Sequence, residues 1–175
     1  MSNDEIRRAV AARVADLRAE RGFSLSELAR RAGIGKGSLS ELEAGQRNPT
    51  LDTLYAIAGQ LDVPLTALLG EQSGTEGTGT GIDVALLHVE HHPNGATTEV
   101  FWLRLTPNAL RTSPAHGRGV VENLHVVTGA VTAGPIGAER HADTGESVSW
   151  PSDVVHIYRG GPDGTLAVLT IHSPG

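Results

Sequence analysis

The chain of 175 residues contains no cysteine. A disulfide framework, a thiolate metal site and a cysteine nucleophile are therefore excluded. No stretch approaches the ~18–20 consecutive apolar residues that a membrane span needs. The first residues are polar and charged, not an apolar leader. Neither a nucleophile elbow nor a phosphate-binding loop occurs. Excess positive charge is also missing: 14 Lys and Arg stand against 20 Asp and Glu, a net charge of −6. These absences predict a cytoplasmic protein without a membrane partner, and none of the common covalent or phosphate-transfer chemistries.

The charge is unevenly placed. Residues 1–69 hold nine Arg or Lys against nine Asp or Glu, while the remainder holds five Arg against eleven acids. The second part is thus a poor non-specific coat for nucleic acid. Between the halves, residues 70–82 are rich in Gly and Thr and offer almost nothing to bury, which predicts a flexible linker.

Residues 5–69 carry helical periodicity. Ile6, Val10, Val14 and Leu17 form the apolar stripe of a first helix of about four turns. Ser24 with Glu27 makes a capping box, so a second helix starts there, burying Leu25, Leu28 and Ala29. Gly33 suits the left-handed position that ends it. A third helix begins near Gly35 or Lys36 with Leu39 and Leu42 inward, and the turn-rich stretch from Gly45 to Pro49 closes it. Leu51, Leu54, Ile57, Ala58 and Leu61 mark a fourth helix, and Pro64 opens a short fifth. A short helix, a Gly-containing turn and a second short helix can present a helix end to the DNA major groove.

This stretch resembles the five-helix, lambda-repressor-like DNA-binding domain of the XRE (Cro/C1-type) helix-turn-helix family. The resemblance rests on Leu17-Arg18, on Leu25 to Ala29, on Ser38 to Gly45 and on Asn48 to Leu54. It implies that Lys36, Gly37, Ser38, Ser40 and Glu41 face the bases of a double-stranded operator. Arg47 and Asn48 would approach phosphate. Lys36 suits guanine O6 and N7 as a donor, and Glu41 suits cytosine N4 as an acceptor. The family pairs the first-helix arginine with the glutamate ending the third helix, here Arg18 with Glu43, as a scaffold. Gly37 departs from the family, which more often has a side chain there.

After the linker the period changes to two. Residues 84–87, 99–105, 123–127, 146–150, 154–158 and 166–171 read as strands, punctuated by Gly, Pro and Asn-Gly. That is the signature of an all-β sandwich or barrel. Two segments are similar to the motifs of the cupin family: His116 to Glu122 with Gly129, and Gly145 through Pro151 to His156. The implied architecture is a multidomain α plus all-β chain, with the helical bundle at 5–69 and a cupin (double-stranded β-helix, jelly-roll) barrel at 83–175.

In metal-binding cupins the matching positions are His116, Arg118, Glu122 and His156, but Arg118 replaces a histidine. Arginine stays protonated and has no lone pair for a metal. It can neutralise Glu122 or bind a ligand carboxylate or phosphate. His116, Glu122 and His156 still make two imidazoles and a carboxylate, a set that holds iron, zinc, manganese or nickel. A metal site and an organic-ligand pocket both stay open. Tyr158 shares the face of His156 by alternation, whereas His125 faces away from Glu122. Trp102 and Trp150 read as core aromatics. Arg104 is either a rim ion-pair partner or a pocket anion contact. His88, His91 and His92 read as a solvated hairpin rim before the Pro93-Asn94-Gly95 turn.

Together the resemblances imply a transcription regulator, by family habit a repressor, whose cupin domain forms a homodimer and senses a small-molecule effector. Two alternatives stand beside it. One is a mononuclear iron oxygenase or epoxidase built on His116, Glu122 and His156. The other is a binding module whose cupin domain only dimerises.

Overall fold

The structure is a computed structural model that describes residues 3–70 and 76–175. Segment 71–75, part of the expected linker, and the side chain of Ile6 lie outside the described residues. The chain divides into two compact units, Met1–Gly70 and Glu71–Gly175.

Among the described residues the first unit has five helices: α1 (Asn3–Glu20), α2 (Leu25–Arg31), α3 (Lys36–Glu43), α4 (Leu51–Leu61) and α5 (Thr66–Leu69). Side-chain caps begin two of them. Ser24 Oγ accepts from the Glu27 N–H, and Thr50 Oγ1 accepts from the Thr53 N–H. Gly33 follows α2 with φ +66°, as its position past the helix end requires. The core joins Val10, Val14 and Leu17 of α1 to Leu28, Leu39, Leu42, Leu54, Ile57 and Leu61, all buried.

One polar contact fixes α3 against α1. Arg18 donates through Nε and Nη2 to the two carboxylate oxygens of Glu43 at 2.7 and 2.8 Å, and through Nη1 to the Phe23 carbonyl at 2.9 Å. The fork geometry restricts both distance and rotation between the helices.

The second unit is entirely antiparallel. Its strands are β1 (Glu76–Gly79), β2 (Ile82–His91), β3 (Thr97–Leu105), β4 (Leu110–Ser113), β5 (Val121–Pro135), β6 (Arg140–Asp143), β7 (Ser147–Pro151) and β8 (His156–Ser173). The pairing order is β1-β2-β3-β8-β5-β6, with β4 on β8 and β7 on β5. The long strands β5 and β8 pair with each other along most of their length, with register shifts at Val126/Thr128 and Gly129/Val131. Those shifts let one long strand bend and pair with different neighbours along its length. Gly129 sits at the bend with φ +86°, and a Cβ there would collide with the Gly164 carbonyl oxygen. Phe101, Leu103, Leu124, Val126, Leu169 and Ile171 fill the interior.

Three expectations are corrected. Residues 76–82 are not linker: Glu76 to Gly79 pair with Ala85 to Ile82, around a tight turn. Strand pairing uses backbone groups, so a Gly/Thr stretch with little to bury still forms an edge strand. The separate strands read at 154–158 and 166–171 are replaced by one strand, β8, which begins only at His156 and includes both 156–158 and 166–171. Trp150 is buried, but Trp102 is 37% exposed and belongs to the outer face of the sheet.

Replacing Arg18 with Ala leaves Glu43 without its charged partner. We expect a loss of about 1.5–3 kcal/mol from the first unit. Urea denaturation followed by far-UV circular dichroism reads it, and an unchanged midpoint contradicts the scaffold role.

Candidate functional sites

The helical unit exposes one polar surface on α3. Leu39 and Leu42 point into the core. Lys36, Gly37, Ser40 and Glu41 are exposed, and Ser38 is half-buried. Arg47 and Asn48, in the turn after α3, are exposed as well. Arg47 reaches back to the helix: its Nη1 donates to Ser38 Oγ at 3.4 Å and lies 4.0 Å from Glu41. Both members of that ion pair are more than half exposed, so it contributes little stability. It leaves a guanidinium and a carboxylate beside a helix end, within reach of a ligand from solvent.

Inside the second unit, three side chains converge. His116 lies in the loop after β4, Glu122 near the start of β5 and His156 at the start of β8. Their candidate ligand atoms lie within 4.8 Å of one another. Glu122 Oε1 is 2.7 Å from His116 Nε2 and 3.3 Å from His156 Nε2. Tyr158 donates its hydroxyl proton to the other oxygen, Oε2. His156 Nδ1 lies 2.9 Å from the Val154 carbonyl and donates to it, while Nε2, the nitrogen that faces Glu122, donates to the carboxylate when the ring is protonated. The rings of His156, Tyr158 and Trp150 pack against one another at centroid distances of 5.5 to 6.0 Å.

Burial by itself would raise the Glu122 pKa. Hydrogen bonds from His116 and His156 outweigh it and hold the carboxyl well below its ordinary range. Burial likewise opposes the charge on His156, but the bond to Glu122 outweighs it and raises its pKa. The positive charge of Arg111 works against that rise.

Of the residues expected in this pocket, His116, Glu122, His156 and Tyr158 are brought together. Arg118 is not: it sits exposed in the turn before β5. The buried cation of the second unit is Arg111, on β4 and opposite Tyr158 in register, 3% exposed. Glu99 is a second buried carboxylate, in the same cross-strand row as Glu122 through Ile171. Strand alternation placed Glu99 in line with Phe101 and Leu103, which was the available signal. The four-residue strand holding Arg111 is too short to show a period. His125 is exposed, on the opposite parity from Glu122, and Arg104 is exposed on the outer face.

The pair Glu122–His156 makes stability depend on pH in a defined direction. Ionised Glu122 is favoured in the fold, so its contribution is complete above 4.5 and is lost as pH falls through its depressed value. Protonated His156 is favoured in the fold, so its contribution is complete below 6.5 and is lost as pH rises through its raised value. The metal-free protein should therefore melt at lower temperature at about pH 8.5 than at about pH 6. Glu122→Gln should flatten that slope. An identical slope in the variant contradicts the coupling.

A helix-turn-helix family model, HTH_3, matches residues 14–68. Over 162 residues the chain is 32% identical to the HTH-type transcriptional regulator SutR of Escherichia coli (strain K12), covering 90% of this chain and 91% of that protein. The regulator SinR of Bacillus subtilis (strain 168) is 43% identical over 65 residues, covering 37% of this chain and 59% of SinR. Among solved structures, an HTH_3 family transcriptional regulator from Vibrio cholerae superposes with a TM-score of 0.82 at 23% identity. That match covers 99% of this chain and 100% of the other, and it shows the shared fold. The whole-length sequence relative is a regulator, which sets aside the oxygenase alternative. The chain belongs to the HTH_3 (XRE-type) family of DNA-binding transcriptional regulators, with an all-antiparallel β unit following its helical one.

Proposed function

We propose that this regulator is an effector-responsive repressor that binds an inverted-repeat operator as a homodimer. The observation that carries the reading is the exposed polar surface from Lys36 to Glu41, with Arg47 and Asn48 beside it. Lys36 and Glu41 offer a donor and an acceptor to base edges, while Arg47 and Asn48 suit the phosphate backbone. Ser38 and Ser40 are short enough to allow close approach. The first unit is electrically neutral, so one copy gains little from general attraction to phosphate. Two copies, with α3 helices about 34 Å apart, would read adjacent major-groove faces.

Sensing is assigned to the cluster of His116, Glu122 and His156. Its donor set suits a divalent cation: two imidazoles, one carboxylate already ionised, and a His156 ring held by Nδ1 on the Val154 carbonyl so that Nε2, once it gives up its proton, is turned to the cluster. Iron, zinc, manganese and nickel all accept such donors, and a bound cation would supply a positive anchor for an anionic or polar effector. Tyr158 holds the Glu122 oxygen that faces away from the histidines. Trp150 keeps a buried indole N–H beside the cluster with no hydrogen-bond partner among the described residues. Effector occupancy changes operator affinity by its differential affinity for the DNA-bound and free states.

Lys36→Ala should weaken operator binding by about 1–3 kcal/mol at fixed salt. Binding to unrelated duplexes should change far less. Electrophoretic mobility shifts against both DNAs check this, and equal loss on both contradicts base reading by α3. Titration with a divalent cation should raise the melting temperature of the second unit, and His156→Ala should abolish the shift. A shift that survives in the variant removes the cation from the cluster.

A further inference from the structure

An antiparallel sheet with one solvated face normally alternates apolar inward and polar outward. The outer face around Trp102 departs from this. Trp102 on β3 is flanked across the strands by Ala85 on β2 and Val168 on β8. Leu166, one outward step along β8, and Val100, one outward step along β3, are only half-buried. Register makes these residues one apolar stripe across three adjacent strands, in the middle of the sheet and not at its edge. A groove of about 530 Å³ runs beside Trp102, lined in part by Glu76, Asp83, Arg104 and Leu166. The acids and the arginine are all exposed.

We propose that this face docks a second copy of the same chain, with Trp102 of each copy seated against the groove of the other. The proposal rests on the dimeric reading above and names its surface. Charge selects the occupant. The groove carries both signs, Arg104 opposite Asp83 in register with Glu76 on β1 beside them, so a two-fold contact has room to set the arginine of each copy against the acids of the other. A surface of one sign would repel its own copy. An exposed tryptophan within an apolar patch and a charged rim is the composition of an interface anchor. The neutral first unit supplies the need, because doubling the number of recognition helices is its route to a larger DNA footprint.

Sedimentation equilibrium of the full chain tests the assignment. The unmodified protein should be a dimer, and Trp102→Glu should raise its dissociation constant at least ~30-fold, the size of an interface hot spot. Far-UV circular dichroism should be unchanged. Arg104→Glu should weaken the dimer, and the double variant Asp83→Arg/Arg104→Glu should restore it. If Trp102→Glu does not fold, the two charge variants decide. An unmodified dimer whose constant is insensitive to Trp102→Glu, or to both charge variants, overturns this face and leaves the dimeric reading intact. A monomer at all concentrations overturns both.

Discussion

The fork between Arg18 and Glu43 governs what the first unit can do. A helix of eight residues such as α3 is too short to hold its own orientation in water. Leu39 and Leu42 bury its inner side, but apolar packing alone tolerates sliding and rotation. Two charge-assisted bonds from one guanidinium, with a third to the Phe23 carbonyl, remove those freedoms. Partial burial of both partners shields the contact from salt better than full exposure would. The consequence is a polar helix surface held at a fixed angle to the scaffold, with Arg47 alongside. In the proposed function that surface supplies the chemical selectivity, since the neutral unit gains none from net charge.

The second unit solves a different problem, the placement of ionisable groups in a dry interior. Glu122 is fully buried, yet it stays ionised because two histidines and a tyrosine hydroxyl surround it. They come from two parts of the fold: the loop after β4 for His116, and the start of β8 for His156 and Tyr158. The barrel is thus a means of bringing distant segments to one carboxylate. Its outer face follows another logic, with apolar groups across β2, β3 and β8 where a solvated sheet would be polar.

Much of this was legible in the sequence, because local chemistry was strong. Ser24 with Glu27, Gly33 and the spacing of Leu39 and Leu42 located the helix-turn-helix, since caps and stripes act over a few residues. Parity separated Tyr158 from solvent and His125 from the cluster. The two motif histidines and Glu122 were placed together by resemblance, and the structure brings them within reach of one another. What escaped depended on pairing between distant strands. β1 lies in a stretch whose side chains bury little, and its partner is defined only by the hairpin. Arg111 belongs to a strand without a readable period, so the exposed Arg118 was read as the pocket's cation. Trp102 was read inward because aromatics usually are, although its alternation with Phe101 and Leu103 already put it on the outside.

Enrichment of bound duplexes from a random DNA pool, followed by sequencing, bears most directly on the central claim that the α3 surface reads bases as a symmetric pair. The account predicts a single inverted repeat with half-site centres about 10 base pairs apart. A pool that stays random after several rounds, or one enriched in an unpaired site, would contradict it.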